Sequence, residues 1–253
     1  MTNTKPLRPF DSRTGHELEP TAQPGYYTGY STLSQKNFWD EATRRAVTAH
    51  ATEVPSIRFF TPDEAHLLSA IIARMLPQDD RTPERQIPIL PVIDERLYKN
   101  ELNGFRYDDM PPDRDAYRIG LKAIDGMADR RFHAPFPELS IHRQELLLKS
   151  IHDGKPNPAH SAWKKMSCHR FWVMLLGDCV SAYYSHPWSW DEIGYGGPAY
   201  PRGYMRLENG LPEPWEVDEV RYFWNAPADS LSQLDRKFEP PDYGVLLKQE
   251  DTD

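Results

Sequence analysis

The nine histidines are the first residues to consider, because imidazole side chains both bind metals and transfer protons. They stand at positions 16, 50, 66, 133, 142, 152, 160, 169 and 186. A carboxylate-bridged di-iron bundle needs a Glu-x-x-His pair on each of two helices. The nearest match is one Asp-x-x-His, Asp63 to His66, and no His-Glu-x-x-His occurs. We therefore interpret Asp63 and Glu64 as helix-start carboxylates beside a surface histidine.

The glycine-rich stretch at residues 194–197 does not predict a nucleotide site. It reads Gly-Tyr-Gly-Gly and continues into Pro198. A dinucleotide fingerprint lies between a strand and a helix, and a Walker loop ends in Gly-Lys-Ser/Thr. A Gly-x-Ser-x-Gly nucleophile elbow is also missing. The sequence thus shows no motif for hydride, phosphoryl or acyl transfer.

The two cysteines, Cys168 and Cys179, lie on one predicted helix, separated by about 16 Å at 1.5 Å per residue. They are too far apart to bridge each other, because a disulfide needs Cα atoms within about 7 Å. Two alternatives remain for each: a buried free thiol, or one half of a bond to another chain.

Aromatic residues set among Gly and Pro dominate the sequence after Pro187. Three interpretations are open: self-packing of a C-terminal wrap, sugar stacking on Trp188 and Trp190, or a protein interface. Trp, Tyr and Arg are the residues that dominate interface hot spots. The predicted interface residues are Trp188, Trp190, Tyr195, Tyr200, Arg202 and Tyr204.

The elements that would position these residues are predicted to be helices. Residues 61–64 read Thr-Pro-Asp-Glu, which combines an N-cap, a proline at the first helical position and a capping-box glutamate, and apolar residues follow at helical spacing up to Pro77. Further helices are predicted around 38–47, at 91–102, after 111–112, at about 140–152 and at about 161–184. The last is apolar all round from 171 to 176, which predicts burial on most sides. Beyond Pro187 no regular structure is expected.

Composition and charge narrow the function classes. The chain has 253 residues, 24 of them proline, and a formal net charge of -8, which disfavours nucleic acid and anionic lipid as partners. The longest apolar run, 171–176, is far shorter than the ~20 residues of a membrane span. The first residues lack an apolar stretch, so we expect neither a Sec nor a twin-Arg signal. The expected fold is an irregular all-α helical bundle with long, extended N- and C-terminal arms rich in proline and aromatic residues.

Two blocks of sequence resemble the gluconate 2-dehydrogenase subunit 3 family. The first is Arg-Phe-Phe-Thr-Pro-Asp-Glu at 58–64, with the helix that follows it ending in Leu-Pro-Gln-Asp-Asp at 76–80. The second comprises His-Arg-Phe-Trp at 169–172, Ala-Tyr-Tyr-Ser-His-Pro at 182–187 and the run from Trp190 to Tyr204. On this basis we divide the chain into an N-terminal arm (1–57), a helical domain (58–205) and a C-terminal wrapping arm (206–253).

The resemblance implies a helical, non-catalytic small subunit that binds no cofactor. Its partner would be a large flavoprotein of the glucose-methanol-choline (GMC) type, which holds FAD and oxidises a sugar, polyol or sugar acid, with a cytochrome c often accepting the electrons. Some members are disulfide-linked to the flavoprotein, which makes Cys168 and Cys179 candidates. Absence of a leader favours the cytoplasm, and co-export with a signal-bearing partner would place the chain in the periplasm.

Two alternatives from other function classes stay open. One is a stand-alone helical enzyme or metal-binding bundle that uses His169, His186, Asp191 and Glu192. The other is a carbohydrate-binding module built on the exposed tryptophans.

Overall fold

The computed structural model describes residues 31–79, 81–102, 104, 106–193 and 195–198, and within these ranges it contains seven α-helices and no β-strand. The helices are α1 Glu41–Thr52, α2 Pro62–Met75, α3 Ile89–Lys99, α4 Asp113–Phe132, α5 Ile141–His152, α6 Cys168–Tyr184 and α7 Pro187–Ile193. Short 3-10 turns stand at Thr32–Phe38, Pro83–Arg85, Phe136–Glu138 and Ser161–Lys164. The predicted all-α fold is confirmed. Most of the two predicted arms lies outside the described residues.

Helix α2 begins as its sequence predicts. The Thr61 hydroxyl accepts a hydrogen bond from the Glu64 amide at 3.3 Å, and the Glu64 carboxylate accepts one from the Thr61 amide at 2.9 Å. Pro62 occupies the first helical position, where no intrahelical N–H bond is lost. This reciprocal capping fixes where the chain turns into the helical core.

The core lies between α4 and α6, with α2, α3 and α5 packed around them. Phe171 of α6 lies directly over Gly120 of α4: a Cβ atom on Gly120 would stand 2.3 Å from Phe171 Cζ. Tyr117 packs edge-on against the same phenylalanine, with ring centroids 6.0 Å apart. Tyr117 and Phe171 are both fully buried. The two central helices therefore approach closely because α4 has a glycine where α6 has a phenylalanine.

A buried carboxylate attaches the segment before α2 to α3. Asp94 of α3 accepts hydrogen bonds from three successive backbone amides, those of Arg58, Phe59 and Phe60, at 2.7–2.9 Å. The Asp94 side chain is fully buried, and these amides are its compensation for the loss of water. The Arg-Phe-Phe sequence before α2 is thus held by its backbone.

Two of the predicted helix positions are wrong. The helix predicted from about residue 161 begins at Cys168, because Ser167 caps α6 by accepting a hydrogen bond from the Arg170 amide, and residues 161–164 form a separate 3-10 turn. The segment after Pro187 was expected to lack regular structure but forms α7, with the proline at its first position. The other predicted helices are present with shifted ends.

Among the described residues, no helix is both long enough and apolar enough to cross a membrane.

Candidate partner-binding surface

Helix α7, which carries two of the predicted interface residues, is attached to the core through Arg81. Arg81 is 8% exposed, and its guanidinium forms an ion pair with Glu192 of α7. It also donates to the Trp188 carbonyl at 3.3 Å, and the Tyr183 hydroxyl of α6 donates to Glu192 at 2.8 Å. Burial raises the pKa of Tyr183, so this phenol stays protonated and able to donate.

A segment from the N-terminal side packs on the outside of α7. Thr32, which is fully buried, donates its amide to the Asp191 carboxylate at 2.7 Å and its hydroxyl to the Tyr195 carbonyl at 2.8 Å. Gly197 has a φ of 78°, and a Cβ there would stand 2.6 Å from the Trp39 ring. We call residues 31–39 the strap, since they lie across α7 and the residues that follow it.

The three predicted interface residues within the described ranges occupy two different environments. Trp188 is half-buried, with the Arg85 guanidinium 4.4 Å from its ring centroid and the His186 ring at 4.6 Å, so it packs within the molecule. Trp190 donates its indole N–H to the Tyr184 carbonyl at 2.6 Å and packs edge-on against Tyr195 at 5.4 Å. We call Tyr184, Trp190 and Tyr195 the aromatic ridge. Tyr184 and Tyr195 are 51% and 36% exposed.

The remaining predicted interface residues, Tyr200, Arg202 and Tyr204, lie outside the described residues. The structure therefore brings together Trp190 and Tyr195, and it adds Tyr184 to them. Tyr184 belongs to a block that resembles the family, but it is not among the predicted interface residues.

Helix α6 exposes an apolar stripe that sequence analysis missed. Val173 is 54% exposed and Val180 is 38% exposed, so the prediction that α6 is buried on most sides is wrong on this face. Within the apolar run Phe171 and Leu175 are buried and Trp172 and Met174 pack against the core, whereas Val173 faces away from it. Val173, Gly177, Val180 and Tyr184 follow the spacing of one helix face, and this spacing in the sequence was the available signal.

A groove of about 770 Å³ runs beside the N-terminal half of this stripe. Its other wall is formed by described residues that lie between α3 and α4. The apolar lining includes Leu102, Tyr107, Met110, Val173 and Met174. Gly177 also lines the groove, about one helical turn beyond Val173 and Met174 on α6. A Cβ atom on Gly177 would meet no other atom within 4 Å, so the helix backbone is open to the groove at this point.

A charged network closes the floor of the groove. Asp178 is buried and accepts hydrogen bonds from Arg96 and from the Tyr117 hydroxyl, both at 2.6 Å, while Arg96 also bonds Asp113 at 2.7 Å. Burial, reinforced by Asp178, raises the pKa of Tyr117 well above its usual value. These groups pair with one another, and they join α3, α4 and α6.

Both cysteines are buried free thiols on α6. Burial raises the pKa of Cys168, and burial together with the neighbouring Asp178 raises the pKa of Cys179 to about 12. Each thiol is therefore protonated at neutral pH, the form that does not attack disulfides. A disulfide from either cysteine to a partner stays a prediction.

The residues of the metal-site alternative make separate contacts. His169 is paired through its ring with the His152 carbonyl at 2.8 Å, Asp191 accepts from Thr32, and Glu192 pairs with Arg81. His186 is buried and accepts from the Trp188 amide at 3.2 Å. In the part of the chain that the structure describes, no three His, Cys, Asp or Glu side chains converge as metal ligands. Asp63 and His66 are exposed at the start of α2.

The described residues form a helical domain with an exposed apolar stripe on α6 and an exposed aromatic ridge. The family model described as gluconate 2-dehydrogenase subunit 3 matches residues 62–197, just over half of the chain. The chain belongs to the gluconate 2-dehydrogenase subunit 3 family, as the resemblance in the sequence indicated. Neither the curated proteins nor the solved structures gave a match.

The family is named for one subunit of a dehydrogenase, which implies membership in a complex of several subunits. The matched range runs from the first residue of α2 to Gly197, so it contains α2 to α7 and the aromatic ridge, together with the groove beside α6.

Proposed function

We propose that this chain is an accessory subunit that binds and stabilises an FAD-dependent dehydrogenase of the GMC type and does not itself catalyse the reaction. The large subunit would hold the FAD and oxidise a sugar, polyol or sugar acid, and a cytochrome c would accept the electrons in complexes that contain one. The observation that carries the proposal is the family match over residues 62–197, which contain α2 to α7.

The aromatic ridge supports a docking role. Tyr184, Trp190 and Tyr195 lie side by side, and two of them are more than one third exposed. Aromatic side chains held in place by neighbours lose little entropy when a partner covers them. Trp190 is held by the bond from its indole N–H to the Tyr184 carbonyl, so it is a pre-organised anchor.

The experiment compares Trp190→Ala with Val54→Ala in a complex purified from cells that contain the native partner. Val54 is 65% exposed and lies between α1 and α2, outside the ridge. Truncating an interface anchor should weaken assembly by about 2 kcal/mol or more, close to 30-fold in Kd. Val54→Ala should assemble as the natural chain does.

The readouts are complex formation and dehydrogenase activity with an artificial electron acceptor. Activity should fall in step with loss of the complex and return when the Trp190→Ala subunit is added in excess. A variant complex that assembles fully but has lost activity would mean that the ridge shapes the catalytic site, and the proposed accessory role would then be wrong.

A further inference from the structure

The groove beside α6 has an apolar wall that is partly open to solvent. Val173 is 54% exposed on one side, and Leu102 and Tyr107 are 67% and 49% exposed on the other. Apolar side chains exposed together along a concave surface are typical of a binding site for another chain.

The stripe on α6 makes this groove continuous with the aromatic ridge. Val173, Gly177, Val180 and Tyr184 project from one face of the helix over about 16 Å, at 1.5 Å per residue. Tyr184 belongs to both the stripe and the ridge. A partner that docks on the ridge can therefore extend along α6, past the exposed Ser181, into the groove.

The charges around the groove indicate what else the occupant carries. Arg96 pairs with both Asp113 and Asp178, and Arg170 is paired with Asp109 while it stacks on the Tyr107 ring at 4.0 Å. Arg106 lines the groove, is exposed, and enters no ion pair with any residue in the described ranges. Among the residues that the structure describes, the groove thus offers one exposed cation outside an ion pair, which a carboxylate in the occupant would complement.

We propose that the groove receives a segment of the dehydrogenase partner that places an apolar side chain over Gly177 and a carboxylate near Arg106. This assignment rests on the proposed function, and it identifies a second contact region beside the ridge. Gly177 matters because it has no side chain. A side chain of the partner can contact the helix backbone here, in the space that the side chain of any other residue at position 177 would fill.

The first test uses substitutions at Gly177 in the full chain. Gly177→Ala removes a helix-weakening glycine without a clash, so the isolated chain should gain thermal stability. The same change, and more strongly Gly177→Trp, should weaken binding of the FAD-containing partner, by at least about tenfold for tryptophan. If Gly177→Ala raises thermal stability but lowers affinity for the partner, the lost affinity is not a consequence of poorer folding.

A matched pair tests the apolar wall. Val173→Glu should reduce partner binding by at least about tenfold, whereas Leu146→Glu, on an exposed face of α5 that does not line the groove, should leave binding unchanged. Arg106→Glu should also weaken binding, and should weaken it less at high salt. Natural affinity in both Gly177→Trp and Val173→Glu would overturn the proposal.

The second test identifies the occupant directly. A benzoylphenylalanine at position 173 in the assembled complex should cross-link on irradiation to a peptide of the FAD-containing subunit that includes an acidic residue. Cross-links only to residues 199–253 of this chain, only to a second copy of it, or to nothing in a fully assembled complex would each overturn the groove assignment. In those three outcomes the FAD-containing subunit still co-purifies, so the accessory function itself would stand.

Discussion

Asp94 is a single buried side chain that stabilises the contact between α3 and the segment before α2. In the sequence Asp94 lies beside Ile93 and three residues before Leu97, and no local signal marks it as a buried hydrogen-bond acceptor. The structure shows a carboxylate bonded to the three amides of residues 58–60. This contact joins residues more than thirty positions apart, so it could not be predicted from local spacing.

Asp94→Asn should destabilise the chain by about 3 kcal/mol, because the charge is lost and an amide N–H₂ group must face backbone N–H groups. The free energy of unfolding from urea titration is the measurement. Glu95→Gln is the control: Glu95 pairs with Arg58 and Lys99 near the surface, and its loss should cost about 1 kcal/mol or less. Equal effects of the two changes would contradict the role given to Asp94.

Leu175 and Val173 lie two positions apart on α6, one buried and one exposed, so their truncation should affect stability very differently. Leu175→Ala removes a side chain that is 1% exposed and should cost about 2–5 kcal/mol through the cavity that it leaves. Val173→Ala alters the exposed stripe and should change stability by about 0.5 kcal/mol or less in the isolated chain. Thermal or urea unfolding of both variants checks this. A large cost for Val173→Ala would show that the stripe is covered in the isolated chain.

His186 makes stability depend on pH. Burial, followed by the charges of Arg81, His50 and Arg85, lowers the pKa of His186 to about 4 from an ordinary value of 6.5. The folded chain therefore keeps the ring neutral where the unfolded chain takes up a proton. Its contribution to stability is present above pH 6.5 and is lost as the pH falls from about 6.5 towards about 4, with a slope of up to about 1.4 kcal/mol per pH unit.

The variant His186→Asn isolates this effect, because the amide oxygen can accept the hydrogen bond from the Trp188 amide but does not titrate. Urea unfolding of both proteins at several pH values should show a shallower loss of stability in the variant between pH 6.5 and 4. Parallel curves would contradict the assignment to His186.

At the scale of elements, α7 depends on one buried cation. Arg81 contacts Glu192, the Trp188 carbonyl and Tyr183, and these contacts attach α7 to α6. In Arg81→Ala the Glu192 carboxylate loses its counter-charge in a partly buried position. Hydrogen exchange of amides in 187–193 should accelerate by at least about tenfold, while amides of α4 keep their protection. Equal acceleration in both helices would mean that Arg81 stabilises the whole fold.

Local signals explain which elements could be predicted. The start of α2 was predicted to the residue because Thr61, Pro62 and Glu64 all act within one turn. The start of α6 was missed because the apolar pattern continues back through Trp163 and Met166, which join the core without being in the helix. Helix α7 was missed because its stability comes from Arg81 and the strap, which are distant in sequence.

For the whole molecule, the candidate surface was predicted only in part. The aromatic composition after Pro187 indicated Trp190 and Tyr195, which the structure places in one ridge. It also indicated Trp188, which packs between Arg85 and His186. The groove combines α6 with the segment between α3 and α4, so it follows from helix packing, which spacing along one helix does not reveal.

The central claim is that this chain works as the accessory subunit of an FAD-dependent dehydrogenase. The most direct test is to purify the tagged chain from cells that contain its native partners and to measure FAD and polypeptide stoichiometry in the product. We expect a stoichiometric complex with a larger FAD-containing polypeptide, with dehydrogenase activity that the isolated chain lacks, and with a higher Tm than the isolated chain. Recovery of this chain alone, with no flavoprotein and with activity of its own, would contradict the claim.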